Sequence, residues 1–125
     1  MTIAKALDLA DQLKPNMMSR QVKIGFLTEI DQLIYEELVL THDHTAEEET
    51  RPEYDTDTDD GTELIMPSPY DMLYVYWLMA RIDHMNMEIE KENNDRLLFD
   101  NAYEQASDWW TRTRMPIQKT REFRL

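Results

Sequence analysis

The stretch Met72-Leu73-Tyr74-Val75-Tyr76-Trp77-Leu78-Met79-Ala80, entered through Ser68-Pro69-Tyr70-Asp71, decides the fold class. Ser68 reads as a helix N-cap and Pro69 as the first helical residue. Proline is tolerated there because its missing N–H would have no intrahelical partner. Asp71 closes a Ser-x-x-Asp pattern of the capping-box type. The nine residues that follow are apolar on every face, so this helix must be covered on most sides. A chain of 125 residues has little protein with which to do so, and a neighbouring subunit is the natural supplement.

Working outward, three further helices are expected. The first runs from Ile3 to about Leu13, capped by Thr2 and carrying Ile3, Leu7, Ala10 and Leu13 at helical spacing. Pro15 disfavours helical geometry at Lys14 and stops it. The second runs from about Arg20 to Glu37 or Leu40 with Ser19 as cap. Its stripe is Val22, Phe26, Leu27, Ile30, Leu33, Ile34 and Leu38, with Asp31, Gln32 and Glu36 off the stripe. The fourth occupies about Glu88 to Thr113, with Leu98, Ala102, Ala106, Trp109 and Trp110 as its apolar face, and Pro116 ends the helical region. Asn86, Asn93 and Asn94 mark a break or kink between the third helix and the fourth. Leu38–Thr41 and Thr62–Met66 are both β-compatible and read either as helix end and loop or as a short β-hairpin. The fold class is therefore mainly α: a small bundle of about four helices, with such a hairpin flanking an acidic loop as an open alternative.

That loop spans about 42–61 and carries almost no apolar residue beyond Ala46 and Tyr54. Between Thr41 and Met66 there are ten acids and one base, Arg51, whereas Thr111–Leu125 hold five bases and one acid. Like charges this dense repel, and a mobile, exposed loop is expected. The division of the chain is a helical domain over 1–116 and a basic tail over 117–125. Opposite charge at two ends suits head-to-tail contacts between copies, or one end meeting an acidic partner.

Composition removes several function classes. Net charge is −13, against what phosphate neutralisation on nucleic acid or anionic membranes requires. There is no Cys, so disulfides, thiolate zinc sites and Cys–His catalysis are excluded. Met1–Leu13 are amphipathic, so no secretory leader is expected. The nine-residue apolar run is short of the roughly 20 a membrane span needs, and a soluble chain is expected. With only 2 Gly there is no glycine-rich phosphate loop and no nucleophile elbow.

The remaining candidates are weaker than they look. Asp55-Thr-Asp57-Thr-Asp59-Asp60-Gly61 has calcium-loop alternation, but counting from Asp55 position six is Asp60 and position twelve Met66, where glycine and a bidentate glutamate are needed. Asp55, Asp57, Asp59 and Asp60 are read as a solvated face towards a channel or partner. His42, Asp43 and His44 with His84, or His84 with Glu88 and Glu92, lack the paired Glu-x-x-His motifs of di-iron bundles. The acid pairs Glu36/Glu37 and Glu104/Asp108 fall on polar faces, where no water-poor pocket splits their pKa values. Neither metal, cofactor nor catalytic residue is expected. Tyr70, Tyr74, Tyr76, Trp77, Tyr103, Trp109 and Trp110 are not interleaved with bases as a nucleic-acid groove requires. With Leu73 and Leu78 they are assigned to core or subunit interface.

The pattern Thr62-Glu63-Leu64-x-x-Pro67-x-Pro69-Tyr70-Asp71-x-Leu73-Tyr74-x-Tyr76, continued through Leu78-Met79-Ala80-x-Ile82-Asp83, resembles small head–tail connector proteins of tailed bacteriophages. Lys14-Pro15-Asn16, Asn93-Asn94, Phe99, Tyr103 and Trp109 belong to the same resemblance. It implies a helical, non-enzymatic virion protein that forms a dodecameric ring below the portal. Such a ring joins the portal to a neck or tail-completion protein and extends the channel through which DNA passes as cargo. Assembly would take place in the host cytoplasm, without a membrane. The docking arm implied for the portal is Ile117–Leu125, with Lys119, Arg121 and Arg124 pairing acids while Ile117, Phe123 and Leu125 anchor apolar surface. The acidic loop is the segment least like the family. The competing expectation is an acidic DNA mimic that occupies a basic groove on a host protein. It requires acids arrayed on rigid elements of a compact monomer.

Overall fold

A computed structural model describes residues 1–117. Four helices follow in order: α1 (Ile3–Leu13), α2 (Arg20–Ile34), α3 (Met72–Met85) and α4 (Ile89–Thr113). One π-helical turn, Tyr35–Val39, extends α2, and a short 3₁₀ turn occupies Glu47–Glu49. The chain is mainly helical, as its patterning requires. Among the described residues no helix is long and apolar enough to cross a membrane.

The caps of the first two helices form as expected. The Thr2 hydroxyl accepts from the Lys5 N–H at 3.2 Å, and the Ser19 hydroxyl from the Val22 N–H at 3.2 Å. α3 starts later than its signals suggest. Asp71, not Ser68, is its N-cap, and no side chain caps it. The Asp71 carboxylate is taken by the Met1 amino group, 3.2 Å away. Pro67–Asp71 form a turn instead, in which the Tyr70 N–H donates to the Pro67 carbonyl.

α3 packs against α4 most extensively and also against α1 and α2. Leu73, Tyr74, Val75, Leu78, Met79, Ala80 and Ile82 are all buried, each large apolar side chain contributing roughly 1.5–3 kcal/mol. Three helices of the same chain thus cover most of α3, with Met72, Tyr76 and Trp77 only partly buried.

Two faces are rotated from expectation. In α2, Ile24, Leu27, Ile30 and Ile34 are buried while Val22 and Leu33 are exposed; Asp31, placed off the stripe, is fully buried. In α4, Ala106 and Trp110 are buried but Leu98 is exposed. Asp95, Phe99 and Tyr103 face inward in its place.

The β-hairpin does not form; among the described residues there are only two isolated bridges. Thr62–Leu64 runs instead beside the start of the chain. The Ile3 N–H donates to the Thr62 carbonyl at 3.1 Å and the Leu64 N–H to the Met1 carbonyl at 3.0 Å. Leu38 and Val39 remain helical and buried. Their pairing surface is used at Thr41–Asp43, which meets Met115–Ile117 in antiparallel fashion.

Candidate interaction surfaces

The acidic segment lies along α2 in antiparallel direction and is not a free excursion. Arg51 pairs with Glu36, and the Gln32 amide donates to the Pro52 carbonyl at 2.8 Å. Thr28 and Tyr54 exchange two bonds: the hydroxyl donates to the Tyr54 carbonyl and accepts its N–H, at 3.2 and 3.1 Å. Asp60 pairs with Arg20 at the far end of the helix.

The deepest anchor is Asp31. It accepts from the hydroxyls of Tyr54 and Tyr74 and from the Ile65 N–H, while the Tyr74 oxygen accepts the Met66 N–H at 2.8 Å. Burial pushes the Asp31 carboxyl up, against the opposing pull of these donors. The expectation of a mobile loop is corrected on this ground: hydrogen bonds at several points of α2 hold the segment, while its acids point to water. An isolated Asp in a helix gives no signal of that role. Tyr54, the lone aromatic in an acidic run, was the available clue.

Asp55, Asp57, Asp59 and Asp60 are all exposed. Their oxygens shape the local turns: Asp55 accepts from the Asp57 N–H at 2.8 Å and Asp59 from the Gly61 N–H at 2.7 Å. Among the described residues, no three His, Asp or Glu side chains converge as metal ligands do. His84 instead lies 3.2 Å from Glu92, and His44 2.8 Å from Glu49.

Between the acidic segment and the π-helical turn lies a cavity of about 420 Å³. Val39, Tyr54 and Ile65 contribute its apolar wall, and Glu47, Glu48 and Glu53 its acidic rim. The C-terminal segment passes beside it. Arg114 stacks on Trp110 with its guanidinium 3.5 Å from the ring centroid, and its Nη2 lies 3.7 Å from Glu48. Of the expected docking residues, Ile117 is exposed and donates its N–H to the Thr41 carbonyl at 2.9 Å. Lys119, Arg121, Phe123, Arg124 and Leu125 lie outside the described residues.

The aromatic and apolar candidates sit within one chain. Leu73, Tyr74, Leu78 and Trp110 are core. Tyr70 stacks on Trp109 with centroids 5.0 Å apart, and Trp77 Nε1 donates to the Phe26 carbonyl at 2.9 Å.

The opposite end of the bundle has a different character. Here α1 hands over to α2, and α3 to α4. Met17 is 100% exposed, Met87 86%, Ile89 69% and Met85 59%. Met17 and Val22 share a groove with Met85. Exposed, polarisable, flexible methionines are a recurrent feature of binding surfaces.

The α3–α4 junction sharpens this observation. The Met87 N–H donates to the His84 carbonyl and the Glu88 N–H to the Asp83 carbonyl, the two bonds of a Schellman C-cap. Met87 holds the left-handed position, φ 58°, where glycine is favoured and a side chain costs roughly 1–2 kcal/mol. Helical periodicity does not reveal this surface, because its residues lie in links between helices.

Beneath that end, Lys14 Nζ lies 3.2 Å from Asp83 and 3.3 Å from Asp95. Both acids are buried. Burial disfavours the lysine charge, but the two carboxylates outweigh it and hold the ammonium above its usual range.

Comparison with family models, with curated proteins and with solved structures finds no match for this chain.

Proposed function

We propose that this chain is a structural subunit of a virion head–tail junction, a connector whose work is binding. The observation that carries this reading is the separation of three chemically distinct surfaces on one bundle. They are the acid-lined segment along α2, the stretch around Arg112 and Arg114 at the end of α4, and the methionine-rich end. A subunit seated between neighbours needs several such contacts, and heterologous contacts close into rings. The resemblance described above agrees with this reading, and Ile117–Leu125 would be its portal-docking arm. Neither catalysis nor a cofactor is part of it. The test is co-expression with a portal protein of a tailed bacteriophage, followed by imaging of the purified complex. A ring of this chain beneath the portal is expected. A chain that stays monomeric and ignores the portal overturns the reading.

One observation favours the acidic-mimic alternative. The segment that carries the acids of residues 43–60 is held against α2 through Pro52, Tyr54 and Asp60, which fixes the backbone of an acidic array such as a mimic of a phosphate backbone needs. Stable capture of a basic host protein by the monomer, competed by duplex DNA, would select that reading.

A further inference from the structure

We propose that the cavity between the acidic segment and the π-helical turn is a docking seat for an extended segment of a partner protein in which arginines alternate with apolar residues. Three observations support that occupant.

The first is the make-up of the seat. It has a volume of about 420 Å³, with Val39, Tyr54 and Ile65 as its apolar wall and Glu47, Glu48 and Glu53 at its rim. An apolar side chain can enter the wall while a base beside it meets the rim. Partners that carry phosphate, whether nucleic acid or anionic lipid, are repelled by the same acids.

The second is the charge left over. Arg51, the one base in the lining, is engaged by Glu36. Glu47 and Glu53 are exposed, and among the described residues neither forms an ion pair. Glu48 shows what the rim attracts. The Arg114 guanidinium stacks on Trp110 and lies 3.7 Å from the Glu48 carboxylate, so one arginine is already held at the edge of the seat.

The third is the backbone. Arg51 precedes a proline, which favours extended geometry there. The Pro52 carbonyl and both backbone groups of Tyr54 bond to α2. Among the described residues the N–H and carbonyl groups of Arg51 and Glu53 have no such partner. They form a short open edge to which an extended chain can add as a strand, and alternate side chains of that chain then face the cavity. A helical partner leaves this edge unused.

The seat does not rest on the connector reading, and its test needs no portal protein. The probe is a blocked Arg-Leu-Arg-Leu-Arg peptide titrated into the full-length protein, with methyl groups followed by NMR. The Val39 and Ile65 methyls should shift on binding, while the Ile89 methyl at the methionine-rich end should not. A blocked Arg-Gly-Arg-Gly-Arg peptide keeps the charge and loses the apolar side chains; it should bind about tenfold less tightly. Glu47→Gln, Glu48→Gln and Glu53→Gln combined should weaken binding of the first peptide about tenfold, the scale of three exposed ion pairs. Asp55→Asn, Asp57→Asn and Asp59→Asn combined remove the same charge from outside the cavity lining and should weaken it by less than about threefold. Equal losses from the two triple variants, equal affinity of the two peptides, or Val39 and Ile65 methyls that do not move would each overturn the proposal. So would a dimer that the Gln variant dissolves and the peptide leaves intact, since that outcome gives the cavity to a second copy.

Discussion

The Tyr54 hydroxyl donates to Asp31 Oδ2 across 2.6 Å, joining the acidic segment to a carboxylate at the centre of the bundle. Two aromatic hydroxyls and one backbone N–H share that carboxylate. Tyr54→Phe removes one donor and leaves the others, and should cost about 1.5–3 kcal/mol, the range for hydrogen bonds to a charged group. Asp31→Ala strands all three donors in the interior and should cost more than Tyr54→Phe. Urea unfolding of both variants measures the difference. Equal stabilities for wild type and Asp31→Ala would refute the anchoring role.

Lys14 holds two buried carboxylates at once. Lys14→Met leaves both unpaired, and losses of about 3–5 kcal/mol accompany such broken buried pairs. Thermal unfolding of Lys14→Met and of Lys5→Met, whose site is exposed, should separate clearly. A Lys14→Met protein as stable as the Lys5→Met control would count against the assignment.

Asp83 links the same cluster to pH. Burial first, and the Asp95 carboxyl second, push Asp83 up to about 6 against the pull of Lys14. A carboxyl whose native value exceeds its unfolded one binds more protons in the folded state. Its contribution is therefore full below about pH 4 and lost as pH rises through about 6. The melting-temperature advantage of wild type over Asp83→Asn should shrink between pH 5 and pH 7. An advantage that is flat or grows across this interval would contradict the shift.

Met87 occupies a left-handed C-cap position at a cost. Met87→Gly should stabilise the chain by roughly 1 kcal/mol, since glycine adopts that geometry without penalty. If the methionine-rich end is a contact surface, the same variant should bind the portal complex less well although it is more stable. Calorimetry and co-purification read the two effects separately. A destabilised glycine variant would mean that the Met87 side chain does more for the fold than its exposure indicates.

Arg114 ties the C-terminal segment to the bundle through Trp110 and Glu48. Arg114→Ala should cost about 1 kcal/mol overall, the scale of a partly exposed cation–π contact. Its larger effect should be on amide exchange at Asp43 and Ile117, whose N–H groups make the bridge beside it. Unchanged exchange at those two amides would show that the bridge stands without Arg114.

The sequence by itself determined where helices start and stop whenever the cause was local. Thr2 and Ser19 cap as read because an N-cap bond spans only three residues, and the restriction before Pro15 acts on Lys14 alone. Helical class followed from the scarcity of glycine and the long apolar periodicities. The candidate surfaces were legible only as charge: ten acids in one segment, five bases in another. Tertiary structure decided the rest. Whether Asp31 or Leu33 faces inward depends on which neighbours offer donors, and Tyr54 and Tyr74 lie far from Asp31 in sequence. Whether an all-apolar helix needs a second subunit depends on how α1, α2 and α4 wrap it. Ser68 does not cap α3 because it sits inside the turn closed by the Tyr70 N–H on the Pro67 carbonyl, and the Asp71 carboxylate pairs instead with the distant Met1 amino group. Burial and long-range pairing are properties of the assembled neighbours, and no local pattern encodes them.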